Sequence, residues 1–263
     1  MPMEILAPTL DQYKDKYENV KFDRDDNGVL TMTFHTDGGS LVWTAKAHDE
    51  LAYAFADVAN DRGNRVVVLT GAGDAYCDQI DFDSFDLSTP HGWYHIMFEG
   101  TRLVNNLLDI EVPVIAAING PASIHPELPI LSDITVASTT ASFQDGPHFP
   151  SGIVPGDGVQ YIWPAILGPN RGRYFLLTGQ VLDAQKALDW GVVNEVVEPD
   201  QVLPRALELA AEVAGKTDLA IRFTRILLKR EWTKLAAENQ SDGFLHQAVA
   251  VMGMSGSILP DSK

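Results

Sequence analysis

Apolar and polar side chains alternate through "VKFDRDDNGVLTMTFHT", residues 20–36, on both sides of Asp26-Asn27-Gly28. Alternation buries one face of a strand, and Asn-Gly accepts the positive φ of a tight turn, so the stretch predicts a hairpin. "AKAHDELAYAFADVANDRG" then changes to helical spacing and ends at Gly63. "RVVVLTG" and "VPVIAAING" are short continuous apolar runs with turn residues behind them, as in strands covered on both faces. Between them "STPHGWYHIMFEGTRLVNNLL" offers Ser88 or Thr89 as a cap and Pro90 in the first turn of a helix.

Another strand, "ITVAS", follows Asp133, and after it comes a Gly/Pro-rich loop, "FQDGPHFPSGIVPGDG". From residue 157 onward helical spacing dominates, and "TDLAIRFTRILLKREWTKLAAENQ" is amphipathic. Alternating strands and helices followed by helices alone predict an α/β domain with a helical C-terminal region. No linker or repeat divides residues 1–263. The amphipathic tail suits packing on its own domain or against a neighbouring copy.

The formal net charge of −17 argues against nucleic acid and anionic membranes as partners, because both require a basic face. A single cysteine, Cys77, excludes an intrachain disulfide and a cysteine metal cluster, and makes the cytoplasm the expected compartment. Met1 to Leu10 lacks the basic start and apolar core of a signal peptide, and no run is long enough to span a membrane.

Several stretches hold groups able to do chemistry. "TGAGDAYCD" lacks the third glycine of a dinucleotide fingerprint and reads as a turn. His91, His95 and Glu99 stand four apart on one helix face, a metal-ligand spacing, but without a fourth ligand a solvated or capping role fits better. Cys77 follows an aromatic residue and reads as core rather than as a nucleophile. His125, His148 and Asp157 lie in loops beyond strands, where α/β sheets build sites. His148 and Asp157 are nine apart across a Gly/Pro-rich turn, so the carboxylate could orient the imidazole. The plainer alternative is an Asp capping the helix "GVQYIWPAIL" and a His bonded to nearby backbone.

"VVVLTGAGDAYCDQIDF", "PVIAAINGPA", "SDITVASTTASF", "SGIVPGDG" and "RYFLLTGQVLDAQKALDWGVVNEVV" together resemble the crotonase (enoyl-CoA hydratase/isomerase) superfamily over about residues 18 to 235. The resemblance implies a spiral of ββα units to about residue 198, then C-terminal helices to 263, assembled as a homotrimer or a dimer of trimers. It also implies an enolate stabilised by two backbone N–H groups. This chain departs from the common pattern, with Asp78-Gln79 for an Ala-Gly pair and Ile124-His125 before Pro126 and Glu127 in place of a glycine run. The loop of the second hydratase glutamate holds His148.

"SLVWT", "NGPASIHPELP" and "DGPHFPSGIVPGDG" are similar to the corresponding segments of bacterial β-diketone hydrolases of the 6-oxocamphor hydrolase type. Those relatives cleave a C–C bond by retro-Claisen reaction without CoA. The resemblance implies that His148, oriented by Asp157, activates water and that His125 stabilises the departing enolate. Trp43, with Phe82 and Phe85, would bind a small diketone, and no cofactor or metal would be needed. Gln247 stands where such enzymes carry a carboxylate. Two other readings remain: a CoA-thioester hydratase, isomerase or hydrolase of the same fold, and a non-catalytic oligomeric scaffold.

Overall fold

The computed structural model describes residues 6–254. After a short helix α1 (Leu10–Tyr13), β1 (Val20–Arg24) and β2 (Val29–Phe34) form the expected hairpin, with Gly28 at φ 79°. Asp25 Oδ1 accepts from the N–H groups of Asn27 and Val29 and closes the turn. Then come β3 (Leu41–Trp43), α2 (Ala45–Asn60), β4 (Val66–Gly71), β5 (Cys77–Ile80) and α3 (Pro90–Asp109). The caps are those their residues suggest: Thr44 accepts from Ala47 N–H, and Thr89 accepts from Gly92 N–H with Pro90 behind it.

The middle of the chain supplies β6 (Val114–Ile118), α4 (Glu127–Ile130), β7 (Ile134–Ser138), β8 (Ser142–Phe143), α5 (Val159–Leu167) and α6 (Pro169–Thr178). It ends with β9 (Leu182–Asp183), α7 (Ala184–Asp189), β10 (Glu195–Val197), α8 (Val202–Ala214), α9 (Asp218–Leu228) and α10 (Arg230–Met254). The amphipathic tail is therefore two helices, parted at Lys229.

A six-stranded sheet runs β1-β2-β4-β6-β7-β10, parallel except for the β1–β2 pair. Every side chain of β6 is buried, as its unbroken apolar run demands. A second, smaller layer pairs β3 with β5 and β8 with β9, and single bridges through Ala122 join Cys77 to Phe143. The two layers repeat one unit. A strand of the large sheet is followed by a short strand or bridge of the small layer and then by a helix. The four turns are β2-β3-α2, β4-β5-α3, β6-Ala122-α4 and β7-β8-α5.

The main core lies between the large sheet and the helices of these turns. The opposite sheet face is covered by α8, whose Val202, Ala206, Ala210 and Ala214 pack on Val66, Val68, Ile115, Ala117 and Val136. The helical region after residue 198 thus begins with a layer of the core itself. Among the described residues no helix is long and apolar enough to cross a membrane.

Candidate active site

Three of the four turns of the spiral place a candidate residue where the small layer passes into a helix. Trp43 ends β3, His125 follows the Ala122 bridge, and His148 and Asp157 lie between β8 and α5. All four line one cleft, together with Phe82, Phe85, His48, Trp93, Phe244 and Gln247. Apart from the two histidines, His48, Asp157 and Gln247, the walls are apolar, as in a small-molecule site. The Gly/Pro-rich loop carries no long element, only a 3₁₀ turn at Phe149–Ser151, which leaves it free to turn His148 inward.

His148 sits between two carboxylates. Its Nδ1–H donates to Asp145 Oδ1 at 2.6 Å, and its Nε2 lies 3.2 Å from Asp157 Oδ2. The orienting carboxylate on Nδ1 is therefore Asp145, while Asp157 takes the other nitrogen at the cleft wall. Burial pulls the His148 imidazole down, but Asp157 and Asp145 together outweigh it and hold the group well above its ordinary value. Burial would raise Asp157, yet the charge and hydrogen bond of His148, with the charge of His125, prevail and hold it below the usual carboxylate range. Asp157 makes no side-chain cap bond to α5, and its Oδ1 is buried with no protein donor.

His125 is one of two non-glycine residues at positive φ, 46°, among those described. That left-handed turn brings its imidazole over Trp43, with ring centroids 4.1 Å apart. Its Nδ1–H donates to Glu127 Oε1 at 2.6 Å and stands 3.7 Å from Asp157 Oδ2. Burial lowers this imidazole too, but Glu127 and then Asp157 outweigh it, and its proton is held more tightly than in a free histidine. Beside it the backbone N–H groups of Ser123 and Ile124 both donate to the Cys77 carbonyl.

Three participants escape a sequence reading. Asp145 is fully buried, and its only signal is a D-x-x-H spacing inside a loop. Glu127, visible as a position, is the partner that orients His125. His48 is hidden in the apolar face of α2 yet forms cleft wall beside Trp43, where burial and the charge of His125 push it down to about 3.

His125, Glu127 and Asp157 bring potential ligand atoms within 4.8 Å of one another, the group of that kind among the described residues. The 2.6 Å contact within it is shorter than the spacing of two ligands each about 2.0–2.1 Å from a tetrahedral ion, and reads as a hydrogen bond. His91 and His95 face each other at 3.2 Å on the exposed side of α3, while Glu99 turns to Tyr53. Burial pushes the Cys77 thiol far up, which disfavours the nucleophilic thiolate.

The sequence pattern of the enoyl-CoA hydratase/isomerase family matches residues 24–249. The chain belongs to this family, the crotonases. A carnitinyl-CoA dehydratase of Proteus mirabilis is 34% identical to this crotonase over 180 residues, 67% of this chain and 68% of its own. A short-chain-enoyl-CoA hydratase of Clostridium acetobutylicum is 30% identical over 202 residues, 74% of this chain and 77% of its own. Among solved structures, a β-diketone hydrolase from the cyanobacterium Anabaena sp. PCC 7120, bound to (S)-3-oxocyclohexyl acetic acid, is 46% identical to the crotonase described here. It matches with a TM-score of 0.91 over 93% of this chain and 98% of its own.

Proposed function

We propose that this crotonase is a β-diketone hydrolase that opens a cyclic or bicyclic 1,3-diketone to a keto acid by a retro-Claisen reaction. The observation that carries the reading is the pairing of two carboxylate-held histidines, His148 buried and His125 partly buried, around Asp157 in an otherwise apolar cleft. The likeness to the Anabaena β-diketone hydrolase supports it.

Breaking a C–C bond between two carbonyls needs water on one of them and a tolerable leaving group on the other side. The base is the Asp157–His148 pair. Its open oxygen, Asp157 Oδ1, accepts a proton as water oxygen bonds to the first carbonyl carbon. His148, kept charged between Asp145 and Asp157, keeps that carboxylate ionised until then. The tetrahedral intermediate re-forms its C=O and expels the neighbouring carbon as an enolate. His125, with Glu127 on Nδ1, presents its other nitrogen to the cleft and donates to the enolate oxygen, the task backbone N–H groups perform elsewhere. The proton taken by Asp157 is given up again, directly or through solvent, as the enolate carbon is protonated to the keto acid, so diketone and water account for every atom. Trp43, Phe82 and Phe85 hold the ring. No step calls for CoA or a metal ion.

The CoA-linked relatives at 30–34% identity keep a second reading in play, a thioester enzyme on the same fold. A panel of cyclic and bicyclic 1,3-diketones, followed by loss of ultraviolet enol absorbance with and without CoA and after chelator treatment, separates them. Turnover independent of CoA and chelator is expected. Turnover of crotonyl-CoA with no diketone consumed would replace this reading by the second.

We further propose a homotrimer or a dimer of trimers in the cytoplasm. Leu219, Phe223 and Leu227 form an exposed apolar stripe at i, i+4, i+8 on α9, which supports burial against another copy.

A further inference from the structure

Ten side-chain polar atoms among the described residues are buried without a hydrogen-bond partner in the protein. Most belong to the packed interior. Only two come from residues lining the cleft: Asp157 Oδ1 and Gln247 Oε1. Both are acceptors, and both residues are more than nine-tenths buried, at 8% and 9% exposure. Orphaned buried acceptors are costly, and in native proteins they mark a catalytic role or a tightly held water.

The two belong to adjoining backbone. A Cβ built on Gly156 would lie 3.0 Å from Gln247 Cβ, so α10 meets the chain at the residue before Asp157. Gln240, two turns earlier on α10, donates through Nε2 to the Asp157 carbonyl at 2.6 Å and fixes the two elements together. The diketo form that water attacks has acceptors only and satisfies neither oxygen. Water has two donors and satisfies both.

We propose that Gln247 is a catalytic residue that holds the attacking water against Asp157. One O–H points to Asp157 Oδ1 and the other to Gln247 Oε1, which leaves a lone pair free to face the first carbonyl. The inference rests on the hydrolase reading above and adds to it the group that aims the nucleophile. Asp157 takes the proton. Gln247 accepts the second O–H throughout and ends hydrogen-bonded to the new carboxyl group's O–H. As a neutral amide it does this without placing a second negative charge beside Asp157.

Three measurements test it. Wild-type turnover of the diketone panel comes first, because its absence would sink the hydrolase reading while leaving the water site to be judged by crystallography. Gln247→Leu keeps the side-chain shape without the acceptor. It should lower kcat roughly 10- to 100-fold, the scale of one hydrogen bond lost at the transition state, with KM little changed. Gln247→Glu keeps an acceptor and should restore most of that kcat at its own pH optimum. Its added charge disfavours ionised Asp157, so the acid limb of the pH profile should move to higher pH. Full kcat in Gln247→Leu, a loss confined to KM, or a Gln247→Glu variant as slow as Gln247→Leu would overturn the proposal. A high-resolution crystal structure of the wild-type protein reads the same point without turnover and without relying on any variant to fold. An ordered water within hydrogen-bond distance of both oxygens is expected, whereas a direct Gln247 Nε2 bond to Asp157 would overturn the assignment.

Discussion

At the scale of single residues, His125 is where geometry and chemistry meet most closely. A non-glycine residue in the left-handed region costs about 1–3 kcal/mol when surrounding structure must enforce it. Here Trp43 beneath the ring and Glu127 on Nδ1 enforce it, and the imidazole faces the cleft as a result. His125→Ala should lose roughly 3–4 kcal/mol of transition-state stabilisation, the scale of one oxyanion donor, and mainly in kcat. Because its pKa is raised, the charged form persists above the ordinary histidine value of about 6.5 and is lost as pH climbs through the raised one. Activity should therefore fall on an alkaline limb above that value, read from a kcat profile of the wild type. His148→Ala and Asp157→Asn should each lower kcat by roughly 10²–10⁴-fold in folded protein, and their double variant should be far from additive because the groups act as one. The three positions could be picked out as polar groups in loops beyond strands. Which carboxylate each imidazole nitrogen meets could not, because Asp145 and Asp157 both lie near His148 along the chain and only the folded loop sets Asp145 on Nδ1 and Asp157 beside Nε2.

At the scale of elements, periodicity reveals the sheet and the capped helices because each is dictated locally, by alternation or by Thr44 and Thr89. The role of α8 was hidden. Its buried positions are mostly alanines, which mark close approach to a sheet only once the sheet is there. The approach of α10 to the Asp157 loop was equally hidden, although Gln240 and Gln247 meet the loop there. A Cβ on Gly243 would stand 2.1 Å from Gln160 Nε2 and 2.3 Å from the Gly156 carbonyl oxygen. Overpacking of this kind typically costs about 1–3 kcal/mol. Gly243→Ala should lower the melting temperature and, by pushing α10 off the loop, lower kcat more than KM. Calorimetry beside steady-state kinetics would show both. Unchanged kcat with a lowered melting temperature would reduce the contact to plain packing.

At the scale of the whole molecule, the proposed mechanism sets the first carbonyl before a water at Asp157 and the second before His125, from different turns of the spiral. A mirror-symmetric bicyclic diketone bound over Trp43 therefore presents two inequivalent carbonyls. It should open to predominantly one enantiomer, since ~1.4 kcal/mol between the competing barriers already gives tenfold preference. Chiral chromatography after turnover in labelled water should show one main enantiomer with the label in the new carboxylate alone. A racemic acid would mean that the cleft does not hold its substrate in one pose. Light scattering behind size exclusion should give three or six copies, and Phe223→Glu on the exposed stripe should shift the protein toward monomer. The spiral itself could not be read from periodicity, because its small layer consists of strands two to four residues long and one bridge, too short to leave a pattern. The repeated unit also has a consequence for how such proteins diversify. Trp43, His125 and the His148–Asp157 loop occupy corresponding joints of the first, third and fourth turns, each outside the large sheet. A lineage can therefore exchange one reagent at one joint while inheriting the others unchanged, and new chemistry arises by editing a single corner of an unaltered frame.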